Sequence, residues 1–227
     1  LTKKPTVIFE IKNGIKIMLR SDSTDLMAFT HVWLIGEYSK HDFQIKKKDT
    51  VIDVGAHIGL FSLYASQHCT KGQIYAFEPM KENYEVLKSN IQINNFSNIK
   101  AENYAISKST SKIILYQNND DSGHSKFIKT NNPIEVNSKS LNDFFNEEKI
   151  EKCDLLKLDC EGSEYEIIEG LKDENFKKIE KMIIEYHLAD SNPEMLKNLE
   201  KKLKRFSYNV SIDPLFKDIG FLYAIKK

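Results

Sequence analysis

The chain opens on two alternating runs. Val7, Phe9 and Ile11 are apolar at every second position, Asn13-Gly14 supplies a two-residue turn, and Ile15, Ile17 and Leu19 alternate again. That pattern predicts a β-hairpin. Residues 25–38 mix polar positions with Phe29, Trp33 and Tyr38 and read as a helix running into a loop, followed by a polar turn at 46–49. From Thr50 the pattern changes. Apolar runs at 51–54, 74–77, 99–105, 112–116, 154–158, 182–186 and 220–225 are separated by helix-period segments at 60–68, 80–94, 164–169 and 193–206. Strands that are apolar on both faces, alternating with helices, predict an α/β fold with a mostly parallel sheet covered on both sides. Ser140 with Asp143 three residues on marks another helix start, and 117–125 (QNNDDSGHS) is a polar loop by composition.

Composition narrows the function classes. The 227 residues suit one domain, or one with an appendage, and no apolar run reaches the roughly 18 residues of a membrane-spanning helix. Lys+Arg and Asp+Glu both number 33, and Arg20 and Arg205 are the only arginines. A neutral, arginine-poor chain argues against a nucleic-acid binder. Cys69, Cys153 and Cys160 are too scattered for a disulfide framework or a CxxC metal site, which fits a reducing, cytoplasmic setting.

The strongest chemical signal is Asp53-Val54-Gly55-Ala56-His57-Ile58-Gly59, between a strand and a helix. Glycines there allow a sharp turn and close approach of a ligand at the carboxyl end of a strand. The spacing is DxGxxxG rather than GxGxxG, and His57 would crowd a pyrophosphate, which disfavours an NAD-dependent oxidoreductase. Glu78, 25 residues after Asp53, ends the next strand, where a carboxylate accepts ribose hydroxyls. Asp159, Glu161 and Glu164 then place three carboxylates within six residues at the end of the 154–158 strand. Such density at a sheet end marks a site.

At this point the chain resembles the FkbM-type methyltransferases, class I enzymes dependent on S-adenosylmethionine. The resemblance rests on VIDVGAHIGLFSLYAS, AFEPMKENYEVLKSN, ENYAIS, DLLKLDCEGSEYEIIEG and MIIEYH, and runs from about Tyr38 to the C-terminus. Ile168 stands where the family's DxEGxExxxLxG block often has Leu, His57 where many members have Asn, and Cys160 where Val is commoner. The resemblance implies a seven-stranded, Rossmann-like methyltransferase sheet with its last strand antiparallel. Residues 1–48 would form a hairpin and cap, and 49–227 the methyltransferase domain. It also implies O-methylation of a hydroxyl, often on a sugar or natural product. Asp53, Gly55, Ala56 and Gly59 would line the methionine and ribose end, Glu78 would hold the ribose, and Asn103 and Tyr104 would flank the adenine.

Methyl transfer to an alcohol needs a base within reach of the acceptor hydroxyl. Asp159, Glu161 and His187 are the catalytic candidates. Glu37, Tyr38, His124, Ser125, Glu164 and Glu185 are expected on the substrate side, with Glu185 and His124 as further possible bases. A metal on Asp159 and Glu161 would also acidify a hydroxyl, but nothing in the spacing demands one, and none is expected. A binding module without turnover remains the alternative, and its acceptor side would lack a usable base.

Overall fold

Asn13-Gly14 turns the chain between β1 (Thr6–Glu10) and β2 (Lys16–Arg20), which pair antiparallel with Phe9 opposite Ile17. The computed structural model describes residues 5–117, 124–125 and 130–227. After the hairpin, α1 (Asp25–Phe29) continues into a π-helical turn, Thr30–Ile35, closed by Gly36 at φ 73°. Next come β3 (Thr50–Val54), α2 (Leu60–His68), β4 (Gln73–Phe77), α3 (Lys81–Ile93) and β5 (Ile99–Glu102). The chain then leaves the sheet for β6 (Ala105–Ser107), β7 (Ser111–Gln117), β8 (His124–Ser125) and β9 (Pro133–Ser140). It returns through α4 (Leu141–Glu147), β10 (Leu155–Leu158), α5 (Glu164–Gly170) and α6 (Asp173–Phe176). The last elements are β11 (Lys181–Tyr186), α7 (Pro193–Arg205), β12 (Tyr208–Pro214) and β13 (Gly220–Lys226).

The main sheet has seven strands in the order β12-β13-β11-β10-β3-β4-β5. The five from β11 to β5 are parallel, and β13 runs antiparallel to both its neighbours. Successive side chains face opposite sides, so each strand feeds two cores. Ile52, Val54, Leu156, Leu158 and Ile184 pack with α4 to α7. Val51, Leu155 and Ile183 pack with α2, α3 and, from the N-terminal segment, Ile17, Leu19, Phe29 and Val32. The N-terminal hairpin and helix thus share a core with the sheet.

Three details differ from the pattern read along the chain. The 99–105 run divides, because Asn103 Nδ2 donates to the carbonyls of Glu78 (2.9 Å) and Pro79 (3.0 Å), and the chain beyond Tyr104 pairs with β9 instead of β4. The 112–116 run belongs to the second sheet, ordered β6-β9-β7-β8. The seventh strand of the main sheet is β12, whose alternation of Tyr208, Val210 and Ile212 with polar Asn209, Ser211 and Asp213 is that of a half-covered edge rather than a buried strand. Of the polar 117–125 stretch, residues 118–123 lie outside the described residues, while Gln117 pairs with His124.

Two polar contacts fix the parts that carry the site. Lys157 lies directly across from Asp53 in the β10–β3 register, both buried, with Nζ 3.2 Å from Asp53 Oδ1. Nζ also donates to Gly55 O at 2.8 Å and lies 3.4 Å from Asp159 Oδ2, while Ser62 Oγ donates to Asp53 Oδ2 at 2.6 Å. Burial pulls the Lys157 ammonium down, but the carboxylates of Asp53 and Asp159 outweigh it and hold its pKa above the ordinary lysine value. On the outer side, Asn90 of α3 treats β2 as a neighbouring strand would. Its Oδ1 accepts from Met18 N (2.7 Å), and its Nδ2 donates to Met18 O (3.1 Å) and Ile58 O (2.9 Å).

Replacing one member of each contact gives a defined loss. Lys157→Met leaves the Asp53 carboxylate uncompensated in the core and should cost about 3–5 kcal/mol in urea unfolding. Adding Asp53→Asn to it should recover part of that loss, since no unpaired charge remains. Asn90→Ala should cost about 1–3 kcal/mol and speed hydrogen exchange at the Met18 amide.

Candidate active site

The carboxyl ends of β3, β4, β10 and β11 open into a cavity of about 450 Å³. The N-terminal helix closes one side through Met27, Ala28 and His31; the β12–β13 turn closes another through Leu215, Phe216 and Ile219; and the second sheet adds Ile106 and Leu115. The floor is the glycine turn after β3. Gly55 has φ 74°, and a Cβ there would lie 1.8 Å from Asp159 O, so only glycine lets the β3 and β10 loops meet. Two residues on, His57 is left-handed at φ 51°, which is costly without glycine and occurs at functional turns.

Glu78 marks one pole. Its Oε2 accepts from His57 N (2.8 Å), and its Oε1 from Met80 N (2.9 Å) and Asn83 Nδ2 (3.4 Å), leaving a lone pair on Oε2 beside the cavity. Burial pushes its carboxyl up to about 7, against the lowering effect of those two backbone amides. Phe77, Ile106 and Leu115 continue the wall as an apolar slot. His57 is anchored behind it: Arg20 Nη2 donates to Nε2 at 3.2 Å, and Asp25 clamps Arg20 through Nε (2.9 Å) and Nη2 (2.7 Å). Burial pushes the His57 imidazole down to about 4, Asp25 opposing and Arg20 adding, so the ring is neutral and its proton sits on Nδ1.

The opposite pole is acidic. Asp159, Glu161, Glu185 and His187 all line the cavity, with Glu37 across from them. His187 is only 6% exposed; its Nδ1 is 3.2 Å from Glu164 Oε1, and its Nε2 is 3.7 Å from Glu161 Oε2 and 4.0 Å from Glu185 Oε1. Burial pulls its imidazole down, but Glu164 first, then Glu161 and Asp159, raise it to about 10. His187 is therefore an imidazolium near neutral pH in this unliganded arrangement, not the free base that its residue type suggests. Burial and the neighbouring Asp159 push Glu185 up to about 8. The Tyr38 hydroxyl donates to Glu185 Oε2 at 3.1 Å, which leaves Oε1 toward the cavity. Burial raises the Glu37 carboxyl as well, with His31 Nδ1 3.1 Å away opposing it.

Several residues read from the sequence lie just outside the cavity wall. Glu164 is 0% exposed and accepts from Cys160 N (2.6 Å) and Gly162 N (2.9 Å), so it shapes the loop that presents Asp159 and Glu161. Ser125 is buried and donates to Glu161 O at 2.8 Å; the side chain of His124 is outside the described residues. Asp53 and Gly59 lie below the floor, where a Cβ on Gly59 would meet Leu87 Cδ1 at 2.4 Å. Asn103 holds the Glu78-Pro79 turn from behind, and the Tyr104 ring packs tilted against Phe77, centroids 5.3 Å apart. Lys157, Arg20 and Asp25 were not singled out from the sequence. Lys157 had a signal, a single charge inside the apolar run LLKL, and Arg20 is one of only two arginines.

A family model described as methyltransferase FkbM domain matches residues 53–210. Methyltransferase 1 of Beauveria bassiana is 27% identical over 163 residues, 62% of this chain and 65% of that protein. The matched stretch thus spans less than two thirds of that relative's length. The 31-O-demethyl-FK506 methyltransferase FkbM of Streptomyces tacrolimicus is 23% identical over 67% of this chain and 71% of its own, and the hexuronic acid methyltransferase AglP of Haloferax volcanii 24% over 79% and 71%. Among solved structures, the Methanococcus jannaschii fibrillarin pre-rRNA processing protein shares the fold with a TM-score of 0.56 at 15% identity, covering 100% of this chain and 86% of that one. No helix among the described residues is long and apolar enough to cross a membrane. With its glycine turn, its β4-end carboxylate and the matching domain over residues 53–210, the chain belongs to the FkbM-domain methyltransferase family, whose cofactor is S-adenosylmethionine.

Proposed function

We propose that the chain is an O-methyltransferase acting on a hydroxyl of a sugar or another small metabolite. One observation carries this reading: a single cavity has a carboxylate suited to ribose at one pole and a group of proton-handling side chains at the other. The donor residues fit the cofactor. Glu78 keeps an acceptor lone pair on Oε2, and the apolar slot of Phe77, Ile106 and Leu115 suits the faces of a flat base. S-adenosylmethionine supplies, when bound, an activated methyl group on a sulfonium that an acceptor oxygen can take once its proton is removed.

The remaining work falls to the chain's own side chains. Glu185, in the ionised form that predominates above about pH 8, takes the hydroxyl proton at Oε1, its other oxygen being occupied by Tyr38. Asp159, Glu161 and His187 position the hydroxyl beside it, and Met27, Leu215 and Phe216 give the cavity an apolar rim. These acidic groups favour turnover over a binding module, whose acceptor side would need none of them. The name of the archaeal relative, a hexuronic acid methyltransferase, supports a sugar-type acceptor.

Calorimetric titration with S-adenosylhomocysteine should show micromolar binding that strengthens as pH rises through about 7, where Glu78 ionises. Below that pH the affinity should fall toward about tenfold per pH unit. Glu78→Gln should bind weakly with no such step. The charged group facing Glu78 is Lys157, and His57 stays neutral over this range. In the unliganded chain the sign reverses: a carboxyl raised from 4.5 to about 7 makes stability decline as pH rises between those values. Turnover is read as S-adenosylhomocysteine formed from S-adenosylmethionine with a panel of hexoses and hexuronic acids, the O-methyl product being identified by NMR. Glu185→Gln should lower kcat roughly 10²–10⁴-fold while S-adenosylhomocysteine affinity stays within about twofold. No binding of S-adenosylhomocysteine by the folded chain would exclude this function.

A further inference from the structure

The acidic pole holds an arrangement that proton transfer alone does not explain. One carboxylate oxygen of Asp159, one of Glu161 and one ring nitrogen of His187 lie within 4.8 Å of one another. His187 is more than nine-tenths buried and its Nδ1 is taken by Glu164, while its Nε2 has only longer contacts, to the Glu161 and Glu185 carboxylates, and no hydrogen bond among the described residues. That nitrogen lies 3.7 Å from Glu161 Oε2. This is too long for a hydrogen bond and close to the spacing of about 3 Å between neighbouring ligands that each sit about 2.1 Å from one ion. Behind it, Glu164 is fully buried and grips the ring from Nδ1 while accepting two loop amides. A carboxylate that fixes the far nitrogen of a histidine is the outer layer by which proteins orient a metal-binding imidazole.

We propose that Asp159, Glu161 and His187 form a divalent-cation site that receives the acceptor hydroxyl. Two carboxylate oxygens and one imidazole suit Mn²⁺ or Mg²⁺, the cation displacing the Nε2 proton of His187 to solvent as it binds, and three protein ligands leave positions open to water or to the acceptor. This assignment rests on the methyltransferase reading and adds how the hydroxyl is activated. The cation binds the hydroxyl oxygen and lowers its pKa. The O–H bond then breaks, the proton passes to the Glu185 carboxylate, and the oxygen keeps the electron pair for the methyl group. No oxidant or reductant is involved. Glu164 is a positioning residue here, acting through His187.

The full chain, freed of metal with EDTA and dialysed, is titrated with Mn²⁺ alone by calorimetry and electron paramagnetic resonance. One Mn²⁺ per chain is expected, with a ¹⁴N coupling from an imidazole nitrogen. Asp159→Asn and Glu161→Gln should each weaken binding at least tenfold, and His187→Gln should abolish the ¹⁴N coupling. Glu164→Gln should weaken binding roughly 10–100-fold with that coupling retained. Circular dichroism and S-adenosylhomocysteine titration of each sample establish that it is folded and has its donor pocket. Binding of S-adenosylhomocysteine by metal-free protein tests the methyltransferase reading separately, because the donor pole contains none of the three ligands. Mn²⁺ binding that is equal in the wild type and the Asp159→Asn/Glu161→Gln double variant, or that lacks ¹⁴N coupling, overturns the site while leaving that reading intact.

Discussion

A buried ammonium between two strand ends holds the site together. Lys157 on β10 faces Asp53 on β3 in register, bonds to the carbonyl of Gly55 and lies beside Asp159, so one side chain touches both loops that build the cavity floor. A buried charge is stable only when it is paired and hydrogen-bonded, and this one is satisfied only if the glycine turn and the 159–164 loop adopt their observed positions together. The contact between Gly55 and the Asp159 carbonyl, which admits no Cβ, follows from the same closure.

The two poles of the cavity are built on different principles. At the Glu78 pole, backbone amides and apolar walls frame a slot with one buried carboxylate. At the other, Glu164 spends both oxygens on the amides of Cys160 and Gly162 and on His187, so Asp159 and Glu161 are presented toward the cavity and the imidazole is turned with them. Glu164 therefore matters as much as the residues that line the wall, although it lies beneath it.

The N-terminal segment belongs to the same structure. Ile17, Leu19, Phe29 and Val32 join the core under the glycine turn, and Asn90 ties β2 to α3 as a strand neighbour would. Its helix supplies Met27, Ala28 and His31 to the cavity wall, while Arg20, clamped by Asp25, adds to the burial that keeps His57 neutral. The segment thus acts on the site through both packing and electrostatics.

The α/β class, the hairpin, the glycine turn and the acidic strand ends were legible in the sequence because each rests on local signals. These are period-2 or period-3.6 apolar spacing, a turn dipeptide, and charges placed where a buried strand stops. The edge strand β12 and the second sheet were not, since their alternation is shallow and half polar, and strand partners are chosen by contacts distant along the chain. The site divides in the same way. The sequence named Asp159, Glu161, Glu185 and His187, but only the folded chain separates Glu164 beneath the wall from Glu161 in it, a distinction made by a few ångströms of loop geometry. Folding also set the protonation of His187 and His57. Both are histidines near strand ends, yet carboxylates raise one to about 10 while burial beside an arginine lowers the other to about 4. Residue types and local spacing fixed which groups were available; burial and charge neighbours, brought together across the fold, decided what each can do.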